Sequence, residues 1–127
     1  MTTEDYVSFE TAKLLKEKGF DVYVSSFYDN EGNFSRKEAD WNWNIGSRYS
    51  APTLQMAMKW LREVHGLHCC SDYDIVLGWY CEITSLTEVV EYDYEEMKHY
   101  HPVRDHCFSS PEAACEAAIK YCLENLI

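Results

Sequence analysis

Histidine and cysteine side chains suited to metal or thiol chemistry gather in HYHPVRDHC, residues 99–107. Structural zinc sites use a tetrahedral set of nitrogen and sulfur ligands, usually supplied as two closely spaced pairs. No such set is formed by the candidate ligands of this segment, His99, His101, His106 and Cys107. The remaining candidates, His68, Cys69 and Cys70, do not form one either. We therefore predict surface histidines and no bound metal.

Cysteine catalysis is the second chemistry to weigh, because the chain has six cysteines and five histidines. A reactive thiolate needs a cationic neighbour, a helix N-terminus or a Cys-x-x-Cys motif. Cys107, beside His106 and near Arg104, comes closest to that setting. Cys115 and Cys122 fall on one face of the last predicted helix, which is typical of core residues. A thiol- or metal-dependent enzyme is therefore the least favoured of the possible functions.

Paired carboxylates occur in the acidic run VEYDYEEM, residues 90–97. Acid-base catalysis requires one member of such a pair in an apolar pocket that raises its pKa, whereas a solvated acidic run supplies only charge. The sequence also contains no glycine-rich phosphate loop, no G-x-S-x-G elbow and no H-E-x-x-H pair. We predict a protein that is not an enzyme and has no cofactor.

The strongest candidate for a binding site is the approach to the helix that begins near Thr53. A helix N-terminus presents unpaired N–H groups and a partial positive charge, so Arg48, Ser50 and Thr53 could together receive an anion. Aromatic faces suited to stacking a base lie just upstream, at Trp41, Trp43 and Tyr49. The hypothesis is a pocket for a small nucleotide-like ligand. The alternative is that Ser50 or Thr53 only caps the helix and the tryptophans pack beneath a sheet.

The net charge of −11 disfavours direct binding to DNA or RNA, because such binding requires a surface that neutralises phosphates. The same charge keeps a small protein soluble. It also allows an alternative function, in which VEYDYEEM and neighbouring acids form a negative face that mimics DNA and engages a basic host protein. The partner is therefore an unknown small ligand or a host protein, and the ligand pocket could lie at a homodimer interface.

Length and composition bound the organisation and location of the protein. The 127 residues fit one domain, so we expect a single domain over residues 1–127. No apolar run is long enough to cross a bilayer, and the N-terminus begins with acidic residues, so we expect a cytoplasmic protein that does not enter membranes. In that compartment the six cysteines should be reduced thiols and not disulfides.

Three helices are predicted from capping residues and apolar period. Ser8 caps the first, which ends at Gly19, where Phe20 can fold back on Leu15. The second has an apolar face made of Leu54, Ala57, Met58, Leu61 and Val64, widened by Met56 and Trp60. The third starts after Ser110, with Pro111 at its first position and an inward stripe of Ala114, Ala118, Tyr121 and Cys122.

Two antiparallel strand pairs are predicted between these helices. The first surrounds the turn at Asn30–Asn33, and its second strand could be loop or edge strand. In the second pair, Trp79, Cys81 and Ile83 share one face, which should be buried, while Tyr80, Glu82 and Thr84 face the other side. The order α-β-β-α-β-β-α indicates an α+β fold, with helices on one face of a small antiparallel sheet.

The amino-acid sequences of the three predicted helical segments resemble those of a family of small uncharacterised proteins from the genomes, prophages and phages of gut Bacteroidales. The segments that carry the resemblance are YVSFETAKLLKEKGF, YSAPTLQMAMKWLREVHGLH and EAACEAAIKYCLENLI. The similarity runs over nearly the whole chain but departs from the family pattern at CFSSPEAACEA, before the last helix. The resemblance implies an accessory protein of a mobile genetic element. Non-enzymatic binders and counter-defence proteins are common among such accessory proteins. The resemblance implies no catalytic residue.

Overall fold

The structure, a computed structural model, describes residues 5–76, 78–85, 99–100 and 108–127. The α+β class is confirmed, and the order of elements matches the prediction except for two added short strands, β3 and β6. The elements are α1 (Phe9–Glu17), β1 (Val24–Tyr28), β2 (Phe34–Trp41), β3 (Tyr49–Ser50), α2 (Leu54–His65), β4 (Leu67–Asp74), β5 (Gly78–Ser85), β6 (His99–Tyr100), α3 (Pro111–Tyr121) and a π-helical turn, Cys122–Leu126.

The chain divides into two compact units, Met1–Ala57 and Met58–Ile127. Each unit has its own three-stranded antiparallel sheet, where the sequence led us to expect one sheet. The strand order is β2-β1-β3 in the first unit and β4-β5-β6 in the second. The single domain expected over residues 1–127 stays a prediction.

Capping residues set the ends of α1 as the sequence predicts. Ser8 Oγ accepts a hydrogen bond from Thr11 N–H at 3.2 Å, which satisfies a donor that the first helical turn leaves open. Gly19 has a φ of +88°, and Phe20 N–H donates back to the Leu15 carbonyl at 2.9 Å. Leu15 and Phe20 are both buried. The chain therefore leaves α1 with its apolar side already fixed in the core of the first unit.

The β1–β2 hairpin confirms the first predicted strand pair and makes β2 an edge strand. Asp29 organises the turn, because its Oδ1 accepts from the N–H groups of Glu31 and Asn33. These bonds, led by that of Asn33, lower the pKa of the Asp29 carboxyl below its ordinary value. The register shifts between Val24 and Ser26, so the charged segment 37–40 bulges from the edge. Charged, irregular edges resist pairing with other chains.

Helix α2 begins as predicted but buries a shorter stripe. Thr53 Oγ1 accepts from Met56 N–H at 3.2 Å and caps the first turn. Leu54, Ala57 and Leu61 are buried and Trp60 is 4% exposed, whereas Val64, predicted on the apolar face, is 60% exposed. The buried stripe therefore stops at Leu61, one turn before the helix ends. No helix in the described part of the chain is both long and apolar enough to cross a membrane.

In the second unit, β4 and β5 pair in register from Leu67↔Ser85 to Asp74↔Gly78. Helix α3 packs against both strands, and Ser110 caps it by accepting from Ala113 N–H at 3.1 Å. The predicted buried face of β5 is confirmed at Cys81 and Ile83, whereas Trp79, predicted on the same face, is only half-buried. Tyr80, Glu82 and Thr84 are half-buried on the other side. The predicted α3 stripe is buried at Ala114, Ala118 and Cys122, whereas Tyr121 is half-buried.

Candidate ligand-binding recess

An open recess of about 380 Å³ lies in the first unit, between the end of β2 and the start of β3. Residues 41–43 and 45–48 line it, and we call it the aromatic recess. Its volume is within the range of pockets that hold small molecules. Three of the predicted ligand-binding residues, Trp41, Trp43 and Arg48, line this recess together.

The two tryptophans have different roles at the recess. The Trp43 ring stacks on Phe27 with a centroid distance of 4.6 Å, and its Nε1–H donates to the Val24 carbonyl at 2.7 Å. Trp41 is 50% exposed and touches Tyr23 at one side, with ring centroids 5.8 Å apart. Trp43 is therefore a fixed wall, while Trp41 has ring surface available for stacking.

Arg48 packs against the fixed wall. Its guanidinium carbon is 4.9 Å from the centre of the Phe27 ring and 5.9 Å from that of Trp43. Such cation–π contacts hold the group without an acidic partner. Arg48 is the one charged side chain among the described residues that line the recess, in a chain of 22 acids and 11 bases. The recess therefore offers a local positive charge on a protein that is acidic overall.

The other predicted ligand-binding residues do not line the recess and have structural contacts instead; they are Tyr49, Ser50 and Thr53. Tyr49 packs edge-on against Phe9 at 5.6 Å, with the Lys16 ammonium over its ring. Ser50 is fully buried and its Oγ accepts from Trp43 N–H at 3.0 Å. Thr53 caps α2. The helix N-terminus that we expected to receive an anion is thus occupied by its own cap.

Asn44 and Lys16 are the supporting residues that the sequence did not reveal. Asn44 Oδ1 accepts from Ser50 N–H at 2.8 Å, and its Nδ2 donates to the Phe20 carbonyl at 2.8 Å. Lys16, on α1, donates to the carbonyls of Gly46 and Arg48. Repeated asparagines in NWN and the glycine in NIGS signal a structured turn in the sequence. The partners of that turn are distant in sequence and could not be predicted from it.

A second surface recess in the first unit, of about 550 Å³, fits an aromatic anion poorly. Its lining consists of Ser25, Arg36, Lys37, Glu38 and Asp40. The two bases are offset by two acids, and no aromatic ring is present among these lining residues. The aromatic recess is therefore the better candidate for a ligand site.

The described cysteines lie in the second unit, and the pKa values of four of them are raised. Cys69, Cys81 and Cys122 are buried, and Cys69 Sγ lies 3.6 Å from Cys122 Sγ. The hydrogen bond with Cys122, together with burial, raises the pKa of Cys69, and burial raises that of Cys81 to about 11. Burial also raises the pKa values of Cys70 and Cys115. Because the thiolate is the nucleophile, raised pKa values oppose catalysis.

The five described cysteines are free, and no group of three or more His, Cys, Asp or Glu side chains within the described ranges is placed to hold a metal ion. His101, His106 and Cys107 lie outside the described residues, as does the acidic run 90–97. Of His99 only the backbone is described, as part of β6.

Comparisons of the chain with protein-family models, with curated proteins and with solved structures returned no match.

Proposed function

We propose that the protein is a non-enzymatic binder that holds a small nucleotide-like ligand in the aromatic recess. The observation that carries the proposal is the meeting of Trp41 and Arg48 on one recess, although seven positions separate them in sequence. An exposed indole stacks on a base of any identity, and a guanidinium binds phosphate through paired N–H donors. A nucleotide presents both partners on one molecule.

Electrostatics support an anionic ligand at this site. Arg48 has no carboxylate beside it in the recess lining, so its charge is available to a ligand. Its contacts with the Phe27 and Trp43 rings remove much of the rotamer freedom that a free arginine would lose on binding. The overall charge of −11 repels anions at long range, so we expect modest association rates that rise with added salt.

Sequestration is the role that we assign to this binding. The resemblance to proteins of Bacteroidales phages and prophages supports a cytoplasmic accessory protein that removes a nucleotide-like signal from host defence. A binder acts in stoichiometric amounts, so the proposal predicts ligand retention without turnover.

Isothermal titration with nucleoside monophosphates and the matching nucleosides tests this function. We expect the nucleotides to bind at least about tenfold more tightly than the nucleosides, because only the phosphate engages Arg48. Arg48→Ala should remove that difference, and Trp41→Ala should weaken both classes. Arg36→Ala is the matched control, since Arg36 lies on β2 outside the aromatic recess. The proposal fails if no nucleotide binds, or if Arg48→Ala binds nucleotides as well as the unaltered protein does.

A second candidate function, an acidic module that binds a basic host protein, is supported by the β4–β5 hairpin. Ile75 and Val76 at its tip are 90% and 84% exposed. On one face of the hairpin, Asp72 and Glu82 flank Tyr80, and the Asp72 carboxylate is the main cause of a raised Tyr80 pKa. This apolar tip and its neighbouring carboxylates are complementary to a partner protein with an apolar cleft edged by lysine and arginine side chains.

Native mass spectrometry separates the two candidate functions. The protein is purified gently from cells that express it and weighed before and after denaturation. A small molecule released on denaturation supports the recess. A basic protein that co-purifies, is lost in an Ile75→Asp, Val76→Asp variant and dissociates as salt rises supports the hairpin.

A further inference from the structure

Four backbone carbonyls of the loop that lines the aromatic recess already accept hydrogen bonds from within the protein. Trp43 C=O accepts from Ile45 N–H at 2.7 Å, and Ile45 C=O accepts from Arg48 N–H at 3.3 Å. The carbonyls of Gly46 and Arg48 accept from Lys16 Nζ. These four carbonyl acceptors are therefore already engaged.

Three donor groups of the same loop have no partner among the described residues. Asn42 Oδ1 accepts from Asn44 N–H at 3.1 Å, which fixes the side-chain amide and leaves Nδ2 as the group without a bond to any described residue. The backbone N–H groups of Gly46 and Ser47 also lack partners within the described ranges. Successive free N–H groups at a turn bind anions. Gly46 has a φ of +63°, which allows such a turn.

We propose that the aromatic recess selects its ligand by acceptor groups: a phosphate on Arg48 and the N–H groups of Gly46 and Ser47, and a keto oxygen of the base on Asn42 Nδ2. This inference rests on the proposed function, nucleotide binding in the same recess. It adds the class of base, because a keto base presents an oxygen where an amino base presents N–H donors. If an amino group of the base faces Asn42 Nδ2, two N–H donors face each other and neither has an acceptor. This arrangement lowers the binding affinity.

Pairs of nucleotides that differ at this group and at the adjacent ring nitrogen provide the test. UMP and CMP carry a keto and an amino group on one pyrimidine position, and IMP and AMP do so on a purine. Isothermal titration of the protein should show UMP and IMP binding about tenfold more tightly than CMP and AMP. Phosphate, sugar and size are the same within each pair, so only recognition of the base edge can produce the difference.

Asn42→Asp supplies the complementary variant. The aspartate retains an oxygen that accepts from Asn44 N–H, but it replaces the Nδ2 donor with a second acceptor. We expect UMP affinity to fall about tenfold and the preference for UMP over CMP to be lost. Asn30→Asp, in the β1–β2 turn, adds the same charge outside the recess and should change neither value. Thermal unfolding of both variants verifies that they are folded.

The outcomes distinguish the selection of keto bases from nucleotide binding itself. Equal affinities for UMP and CMP, and for IMP and AMP, would overturn the selection by acceptor groups while leaving nucleotide binding in place. A preference that Asn42→Asp leaves intact would also overturn it, because the donor would then lie elsewhere. If none of the four nucleotides binds, nucleotide binding itself is refuted, and the inference with it.

Discussion

Lys16 Nζ on α1 donates a hydrogen bond to the backbone carbonyl of Arg48 at 3.0 Å, across 32 positions of sequence. The same ammonium bonds the Gly46 carbonyl and lies 4.7 Å from the centre of the Tyr49 ring. One charged side chain thus fixes the turn that carries the recess cation, without itself lining the recess. This relationship makes Lys16 a positioning residue for any ligand at Arg48.

Lys16→Met should loosen the turn while keeping most of the apolar stem. We expect a loss of about 1 kcal/mol in the free energy of unfolding, because bonds to two carbonyls are removed at an exposed site. Amide hydrogen exchange over residues 45–49 should accelerate, and nucleotide affinity should fall several-fold. Lys13→Met is the matched control, since Lys13 contacts Phe9 on the same helix. Equal exchange in both variants would exclude this positioning role.

Trp43→Phe tests the fixed wall of the recess. The variant keeps an aromatic ring to stack on Phe27 but removes the Nε1–H that donates to the Val24 carbonyl. We expect the free energy of unfolding, measured by urea titration, to fall by about 1 kcal/mol. Trp41→Phe, at a half-exposed ring, should cost less than about 0.5 kcal/mol. A larger cost at Trp41 than at Trp43 would contradict these roles.

Alkylation of the native protein tests the placement of the thiols. Cys69, Cys81 and Cys122 are buried, so iodoacetamide near neutral pH should leave them unmodified over a period in which Cys70 and Cys115 react in part. Digestion and mass spectrometry assign the modification to each site. In denaturant all five should react at similar rates. Rapid native modification of Cys69 or Cys122 would show that these thiols are not buried in the core of the second unit.

Stability should decline at alkaline pH because of Cys81. A thiol in the unfolded chain loses its proton near its ordinary pKa of 9.0, whereas burial raises the folded pKa of Cys81 to about 11. Stabilisation by the neutral thiol is therefore complete below pH 9 and is lost as pH rises towards 11. The slope attributable to this group is at most about 1.4 kcal/mol per pH unit. Urea titrations across this range should give a shallower decline for Cys81→Ala, and identical slopes would refute the assignment.

His65→Phe should stabilise the second unit. His65 Nε2 is buried without a hydrogen-bond partner in the described part of the chain, and its ring packs edge-on against Trp60 at 4.7 Å. Phenylalanine keeps the aromatic contact and removes the unsatisfied nitrogen. We expect the free energy of unfolding to rise by about 1 kcal/mol. A decrease would indicate that the nitrogen has a partner in solution.

Local features of the sequence predicted most of the secondary structure. Ser8, Gly19 and Ser110 mark helix ends through bonds to residues only a few positions away, so their effects are independent of the rest of the fold. The alternation around Cys81 and Ile83 likewise predicts the buried face of β5. The prediction that Val64 lies on the buried face of α2 was wrong. The helical spacing of apolar residues gives the direction of a side chain but not the point at which the packing surface ends.

The candidate site was only partly predictable for the same reason. Arg48, Trp41 and Trp43 could be proposed from residue type and proximity in sequence. Tyr49, Ser50 and Thr53 are equally close, but Tyr49 packs against Phe9, Ser50 is buried under Trp43, and Thr53 caps its own helix. Which neighbours line a recess depends on the direction of each side chain in a folded loop, and no local period encodes it.

The sequence by itself determined the acidic charge, the α+β class and the helix boundaries, because composition and short-range hydrogen bonding do not depend on distant residues. Tertiary structure alone decided that the strands form two sheets and that the helix N-terminus is closed by its own cap. It also decided that Lys16 and Phe27 support Arg48 from distant elements. These features arise from contacts between segments far apart in sequence, whose pairing depends on how the whole core packs.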